Sequence, residues 1–234
     1  MSGTPDFRDL SRLTARLKAS LVVFMAVAAI GLWSGWLEIE ILKRAADGAA
    51  VSRAEFRAGT LRQARVGVLD FLVSAVTGVL FLRWTYFSNR NARGLASGMP
   101  STPGWAVGWN FVPVAAFWKP YEAFKNTFKA SHPDFANEWH HAPHPRILPV
   151  WWTLWVIYTF AGSAALQVPL RANTIDGLLA RSFVTFVSYA LALPLGLIAM
   201  AVVAKLQTWQ SEKRRRLVAA VTQHPQADWF INIP

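Results

Sequence analysis

Hydrophobic positions along this chain gather into four long runs parted by polar connections. The first, ASLVVFMAVAAIGLWSGWL, covers residues 19–37; the others cover about 66–86, 147–170 and 180–204. The hydrocarbon core of a bilayer is about 30 Å thick, so a helix crossing it needs about 20 mostly apolar residues. Lipid offers no partner to a free backbone N–H or C=O, so each run is expected to be helical. The pattern predicts an all-α fold, a polytopic membrane protein with four transmembrane helices.

Local signals lengthen two of these helices. Ser52 and Glu55 have the spacing of a capping box, and no proline lies between Arg53 and Leu82. One long helix from about Arg53 to Tyr86 is expected. Thr174, followed by Asp176, marks a start for the fourth helix, which can continue through Trp209 into the basic KRRR cluster. Pro194 within that run predicts a packing kink. Gly31 and Gly35 share one helix face, as do Ser74 and Gly78, and small residues so placed let helices approach closely. The first run exceeds the usual core of a signal peptide, about 7–15 residues. Trp33 and Trp36 lie at its far end, where membrane anchors belong, so it reads as a retained span.

A fifth apolar stretch, WNFVPVAAFWKPYEAF at residues 109–124, behaves differently. Its apolar part, Trp105 to Trp118, has 14 residues, about 21 Å of helix, which is too short to cross. Pro113 interrupts it and disfavours helix at Val112. A full crossing would also move the KRRR cluster to the outer face. A re-entrant element is expected. Beyond it, Pro120 suits the first helical position, Glu122 the first turn and Lys129 the last. Tyr121, Phe124 and Phe128 share one face, and Glu122, Lys125 and Lys129 another. This second half is expected to lie in the cytoplasmic interface with its aromatics in lipid. The alternative is an amphipathic helix packed on the protein. Together the two halves form a re-entrant/amphipathic segment over about 103–132.

Composition agrees with a membrane protein. Charged residues make up 16% of the chain, against about 25% in soluble domains, and there are 12 Trp. The formal net charge is +11, but the cations flank apolar runs, which favours topology signals and anionic headgroups over nucleic acid. Sixteen Lys and Arg fall in the N-terminus, the second connection and the C-terminal tail, and eight in the other two connections. The excess places both termini in the cytoplasm. A basic N-terminus (1–18), a four-span domain (19–206) and a basic tail (207–234) are the expected divisions.

Candidate chemistry is sparse. Asp70 is a carboxylate inside the second span, where ionisable groups mark pathways or partners; Arg181 or a nearby Ser or Thr is its expected alternative bond. Arg83 is placed to snorkel to the surface. His140, His141 and His144, with His132, Asp134 and Glu138 nearby, are weak metal candidates; three prolines break any regular ligand face, so no metal is expected. No cysteine is present, which excludes thiolate chemistry. No nucleophile elbow, phosphate loop or dinucleotide fingerprint occurs, and no cofactor is expected.

The stretch TPGWAVGWNFVPVAAFWKPYEAFKNTF, with WWTLWV and VVAKLQTWQSEKRR further on, resembles an uncharacterised family of bacterial integral membrane proteins classed as a domain of unknown function. The matching signature residues are Pro103, Gly104, Trp105, Trp109, Pro113, Lys119, Pro120 and Tyr121, with Trp151 and Trp152 opening the next helix. Asn110 and Glu122 lie within the same stretch and join the candidate interface motif. The resemblance runs over roughly Leu69 to Arg216 and implies a small multi-helix membrane domain in a bacterial inner membrane; it implies no reaction. The first functional expectation is an accessory or scaffolding protein that binds membrane lipids, a larger membrane complex or a second copy. A small transporter using Asp70 and the Pro194 kink is the alternative, and a membrane enzyme on a lipid-like substrate is the third.

Overall fold

The computed structural model describes residues 7–135, 138–167 and 174–223. Outside them lie the first six residues, the last turn expected for the third span, Arg171 and the end of the tail. The described chain is helical, with no strand among the described residues. Its α-helices are α1 (Ser11–Ala46), α2 (Arg53–Leu95), α3 (Pro103–Gly108), α4 (Lys119–Ala130), α5 (Ile147–Gln167) and α6 (Ile175–Gln223). Four of them, α1, α2, α5 and α6, are long and apolar enough to cross a membrane. With 36, 43 and 49 residues, α1, α2 and α6 outrun the apolar stretches that define their spans.

Helix ends follow the local chemistry. Helix α1 stops where Gly48 adopts φ +79°, and Gly48 and Ala49 donate to the carbonyls of Ala45 and Arg44. A residue with a side chain would meet steric resistance in that conformation. At the start of α2, Ser52 Oγ accepts the Glu55 N–H at 3.1 Å. The reciprocal half of the expected capping box is replaced, because the Glu55 carboxylate pairs with Arg44 of α1. Helix α2 then runs beyond the expected Tyr86 to Leu95, since no Pro or Gly intervenes before Gly94. Thr174 Oγ1 accepts the Gly177 N–H at 3.3 Å, as an N-cap should. Helix α6 continues through Pro194 as one helix.

The chain divides into two compact units that are not contiguous in sequence. The first comprises residues 1–14, 82–148 and 202–234. The second comprises 15–81 and 149–201, and holds most of the apolar stretches of the four long helices.

In the second unit, Phe24, Ala28, Val66, Tyr189 and Ala192 form a buried cluster. Small residues set its spacing. A Cβ on Gly31 would meet the Tyr189 ring at 2.6 Å, and one on Gly35 would lie 3.5 Å from Phe186. The Gly31/Gly35 face is thus an internal contact with α6. The Ser74/Gly78 face is not a tight helix contact: nothing lies within 4 Å of a Cβ built at Gly78. Arg62 donates to the Ser34 hydroxyl at 3.1 Å, which satisfies a buried oxygen.

In the first unit the core mixes aromatics with polar side chains. Trp84 is fully buried and donates through Nε1 to Thr14 Oγ1 at 3.1 Å. Asn91 exchanges two hydrogen bonds with the backbone of Arg8, at 2.9 and 3.0 Å. Asn89 donates to Thr127 Oγ1 at 3.0 Å. Gln210 Nε2 donates to Ser88 O at 2.8 Å and to Ser131 Oγ at 3.1 Å. Buried polar atoms need such partners, because an unmade bond inside a protein leaves the desolvation cost uncompensated.

Candidate functional site

The stretch from Pro103 to Ala130 belongs wholly to the first unit. Helix α3 begins with Thr102 as N-cap, its hydroxyl accepting the Trp105 N–H at 3.3 Å. The helix lasts six residues and passes into a 3-10 turn at Trp109–Phe111. Val112 is extended (φ −93°, ψ 114°), as the residue before a proline should be. Pro113 then accepts the Ala115 N–H at 2.7 Å across Val114, which stands at φ 66°, ψ −54°. That is a γ-turn with a β-branched residue at its centre, an uncommon and strained arrangement. A second 3-10 turn, Ala115–Phe117, leads into α4. The expected break at Pro113 is therefore realised as a reversal between two short turns.

Large apolar side chains crowd the outside of this stretch. Phe111 is 71% exposed and Val114 67%, and Trp105, Phe117 and Trp118 are exposed as well. The Trp105 and Trp109 rings lie 4.6 Å apart. Asn110 is turned back onto the chain, donating to Val107 O at 2.9 Å.

Helix α4 corrects one expectation. Pro120 occupies its second position, Lys119 pairs with Glu122 at 2.8 Å, and Lys129 stands in the last turn. Its aromatic face, however, points into the protein: Phe124 and Phe128 are buried, Phe124 stacks with Trp84, and Phe128 meets Trp209 edge-on at 5.7 Å. Trp84 and Trp209 are available as partners because α2 and α6 extend far enough to carry them. Tyr121 is half-buried, and that burial raises its phenol above the ordinary value. In the 103–130 stretch the exposed large apolar side chains are Trp105, Phe111, Val114, Phe117 and Trp118, not the α4 aromatics.

At the C-terminus of α4 lies a group the sequence did not single out. Lys213 is 1% exposed, and its ammonium donates to Ala130 O at 2.8 Å and Phe135 O at 2.7 Å. Burial pushes its pKa down to about 8. Beside it, Arg216 holds Asp134 at 2.5 Å and also pairs with Glu212. His132 packs against Trp209 and Phe135, with ring centroids 4.6 and 5.0 Å away. Burial lowers its pKa; Asp134 opposes that, while Lys213, Arg216 and Lys205 add to it.

The other histidines do not converge. His140 stacks on Trp139 at 3.7 Å, and its carbonyl accepts from Lys129. His141 is exposed, and His144 has its pKa lowered by burial and by Lys125 and Lys129. Among the described residues, no three His, Cys, Asp or Glu groups come together as a metal site requires. Trp139 instead serves the core, donating to Ser97 O at 2.8 Å.

Trp151, Trp152 and Asp70 lie in the second unit. Trp151 and Trp152 are buried; Trp152 stacks on Trp155 at 4.7 Å, and Trp151 packs near Phe81 at 5.6 Å. Asp70 makes no ion pair or hydrogen bond among the described residues, so the expected bond to Arg181 is not formed.

The comparisons with known proteins bear on the same stretch. The family profile described as Domain of unknown function (DUF4328) matches residues 47–208, from the end of α1 to the latter part of α6. No curated protein and no solved structure matches the chain significantly. The profile takes in the whole 103–130 stretch, Asp70 and the paired Trp151 and Trp152, and covers well over half of the residues. With its four membrane-length helices, the chain belongs to the family of domain of unknown function DUF4328.

Proposed function

We propose that this is an accessory protein of a bacterial inner membrane, with both termini cytoplasmic, which engages the cytoplasmic leaflet through residues 103–118. The carrying observation is the exposure of Trp105, Phe111, Val114, Phe117 and Trp118, followed along the chain by the cations Lys119, Lys125 and Lys129. Water penalises such a patch, whereas the boundary between acyl chains and headgroups accepts aromatic rings and cations together. The two short turns fold back at Val114 and do not form a rod, so the reading is a surface-lying anchor and not a deep dip.

The chain lacks cysteine, so single-site labels are clean. Phe111→Cys and Gly104→Cys carrying an environment-sensitive dye, in nanodiscs with anionic lipid, test the reading. Quenching at position 111 by headgroup-level nitroxide lipids, and weaker quenching by mid-chain ones, is expected. Quenching by aqueous iodide equal to that of the free dye would sink it. A stoichiometric membrane partner that shields position 111 from both lipid quenchers would replace lipid with protein as the occupant. A second reading, a small transporter, draws on Asp70, which makes no ion pair or hydrogen bond among the described residues; unchanged flux in Asp70→Asn liposomes removes it.

A further inference from the structure

The second unit contains a half-open cavity of about 200 Å³. Its origin is a mismatch in side-chain size. Helix α2 offers Ser74 and Gly78, one turn apart and both small, while α5 offers Trp151, Trp155 and Tyr158. Thr77 and Phe81 of α2 also line the cavity, but nothing stands within 4 Å of a Cβ built at Gly78, so that part of the gap stays open. None of the lining residues is charged. One of them is chemically incomplete: the Ser74 hydroxyl is buried and has no hydrogen-bond partner.

Three properties of an occupant follow. It is uncharged, because nothing in the wall compensates a charge and the apolar surroundings would oppose one. It contains a flat ring, since aromatic walls favour stacked and edge-on ring contacts, and a cavity of about 150 Å³ already accepts a benzene-sized molecule. It carries an oxygen, because a buried hydroxyl without a partner is stabilised by gaining one. A lipid acyl chain fills the volume but leaves Ser74 unpaired.

We propose that this cavity is a binding site for the ring of a membrane-dissolved quinone-class compound, with the Ser74 hydroxyl bonded to a ring oxygen and Gly78 providing the space. The site is independent of the leaflet anchor proposed above; it lies in the other unit and takes a different ligand.

The test measures equilibrium binding of a radiolabelled short-tailed benzoquinone to nanodiscs with and without the full-length protein. The matching methyl-substituted benzene without oxygens serves as a second probe. Saturable, protein-dependent binding of the quinone is expected. Gly78→Leu fills the gap without a backbone clash and should abolish saturation, while Val79→Leu, on the exposed neighbouring position, leaves it intact. Ser74→Ala should weaken the quinone by about tenfold and leave the hydrocarbon unchanged. Thermal unfolding of each variant establishes that it is folded. Non-saturable uptake equal to that of empty discs overturns the proposal, as does quinone binding that survives Gly78→Leu. Equal binding of both probes with no effect of Ser74→Ala overturns the role of the hydroxyl, and with it the quinone class.

Discussion

Gly31 of α1 lies against the face of the Tyr189 ring of α6, with room for a hydrogen and none for a methyl: a Cβ would sit 2.6 Å from the ring carbon that bears the hydroxyl. Gly35, one turn on, has ordinary clearance from Phe186 at 3.5 Å. Gly31→Ala should therefore destabilise the second unit by about 1–3 kcal/mol, the usual range for overpacking. Gly35→Ala should cost less than about 1 kcal/mol. Thermal unfolding in a fixed detergent separates the two; equal shifts would contradict the contact.

Lys213 supports a prediction in the alkaline range. Its folded pKa, about 8, lies below the ordinary 10.5. Between those values the unfolded chain holds a proton that the folded chain has released, so raising the pH through this window favours folding at this residue. The neutral amine retains two N–H groups, enough for Ala130 O and Phe135 O. Arg216, with Asp134 and Glu212 attached, and His132 are the other titratable groups nearby. Lys213→Met should lose the alkaline gain and, with two carbonyls left unpaired, cost about 2 kcal/mol or more at pH 7. Unfolding midpoints from pH 7 to 10.5 test both parts.

His132 acts at the other end of the scale. Its folded pKa is lowered, so as the pH falls below 6.5 the unfolded chain takes up the proton first and stability declines. His132→Phe keeps a ring against Trp209 and removes the titration. The variant should show a flatter stability profile from pH 6.5 down to 5, and an unaltered slope would contradict the assignment.

Much of this was legible in the sequence, for a common reason. The start of α2 at Arg53, the Thr174 cap and the break at Pro113 are local events, decided by side chains within a few residues. The inward turn of Phe124 and Phe128 was not legible, because periodicity defines a face but not what meets it. Nor was the polar core around Asn89, Asn91, Gln210 and Lys213, whose residue types ordinarily sit in solvent. A faint signal existed: Trp84, Ser88, Asn91 and Leu95 recur at spacings of four, three and four, as do Leu206, Gln210 and Lys213 at four and three. Such stripes mix polar and apolar residues, so a hydropathy pattern passes over them. The cavity beside Ser74 depends on the relative sizes of residues on different helices, which no single run of sequence displays.

Val114 offers a test of backbone strain. A β-branched residue at φ 66° costs about 1–3 kcal/mol relative to a relaxed conformation. Val114→Gly should stabilise the detergent-solubilised protein by about 1 kcal/mol while weakening attachment of the 103–118 stretch to anionic bilayers, since an exposed apolar group is lost. Unfolding midpoints and nitroxide quenching at position 111 read the two effects separately.

Orientation has its own experiment. Cysteines at Gly48 and Ser211 of this cysteine-free chain should differ in intact cells: Gly48→Cys reacts with an impermeant maleimide, and Ser211→Cys reacts only after lysis. Labelling of Ser211→Cys from outside would overturn the topology.

Gln210 gives α6 a fixed registration. Both protons of its amide are committed, one to the α2 backbone at Ser88 and one to the Ser131 hydroxyl that closes α4. A slip of α6 by one residue moves the amide about 1.5 Å along the axis and about 100° around it, out of reach of both acceptors. The amide thus behaves as a latch: axial sliding of α6 past Ser88 and Ser131 must begin with the loss of two buried hydrogen bonds.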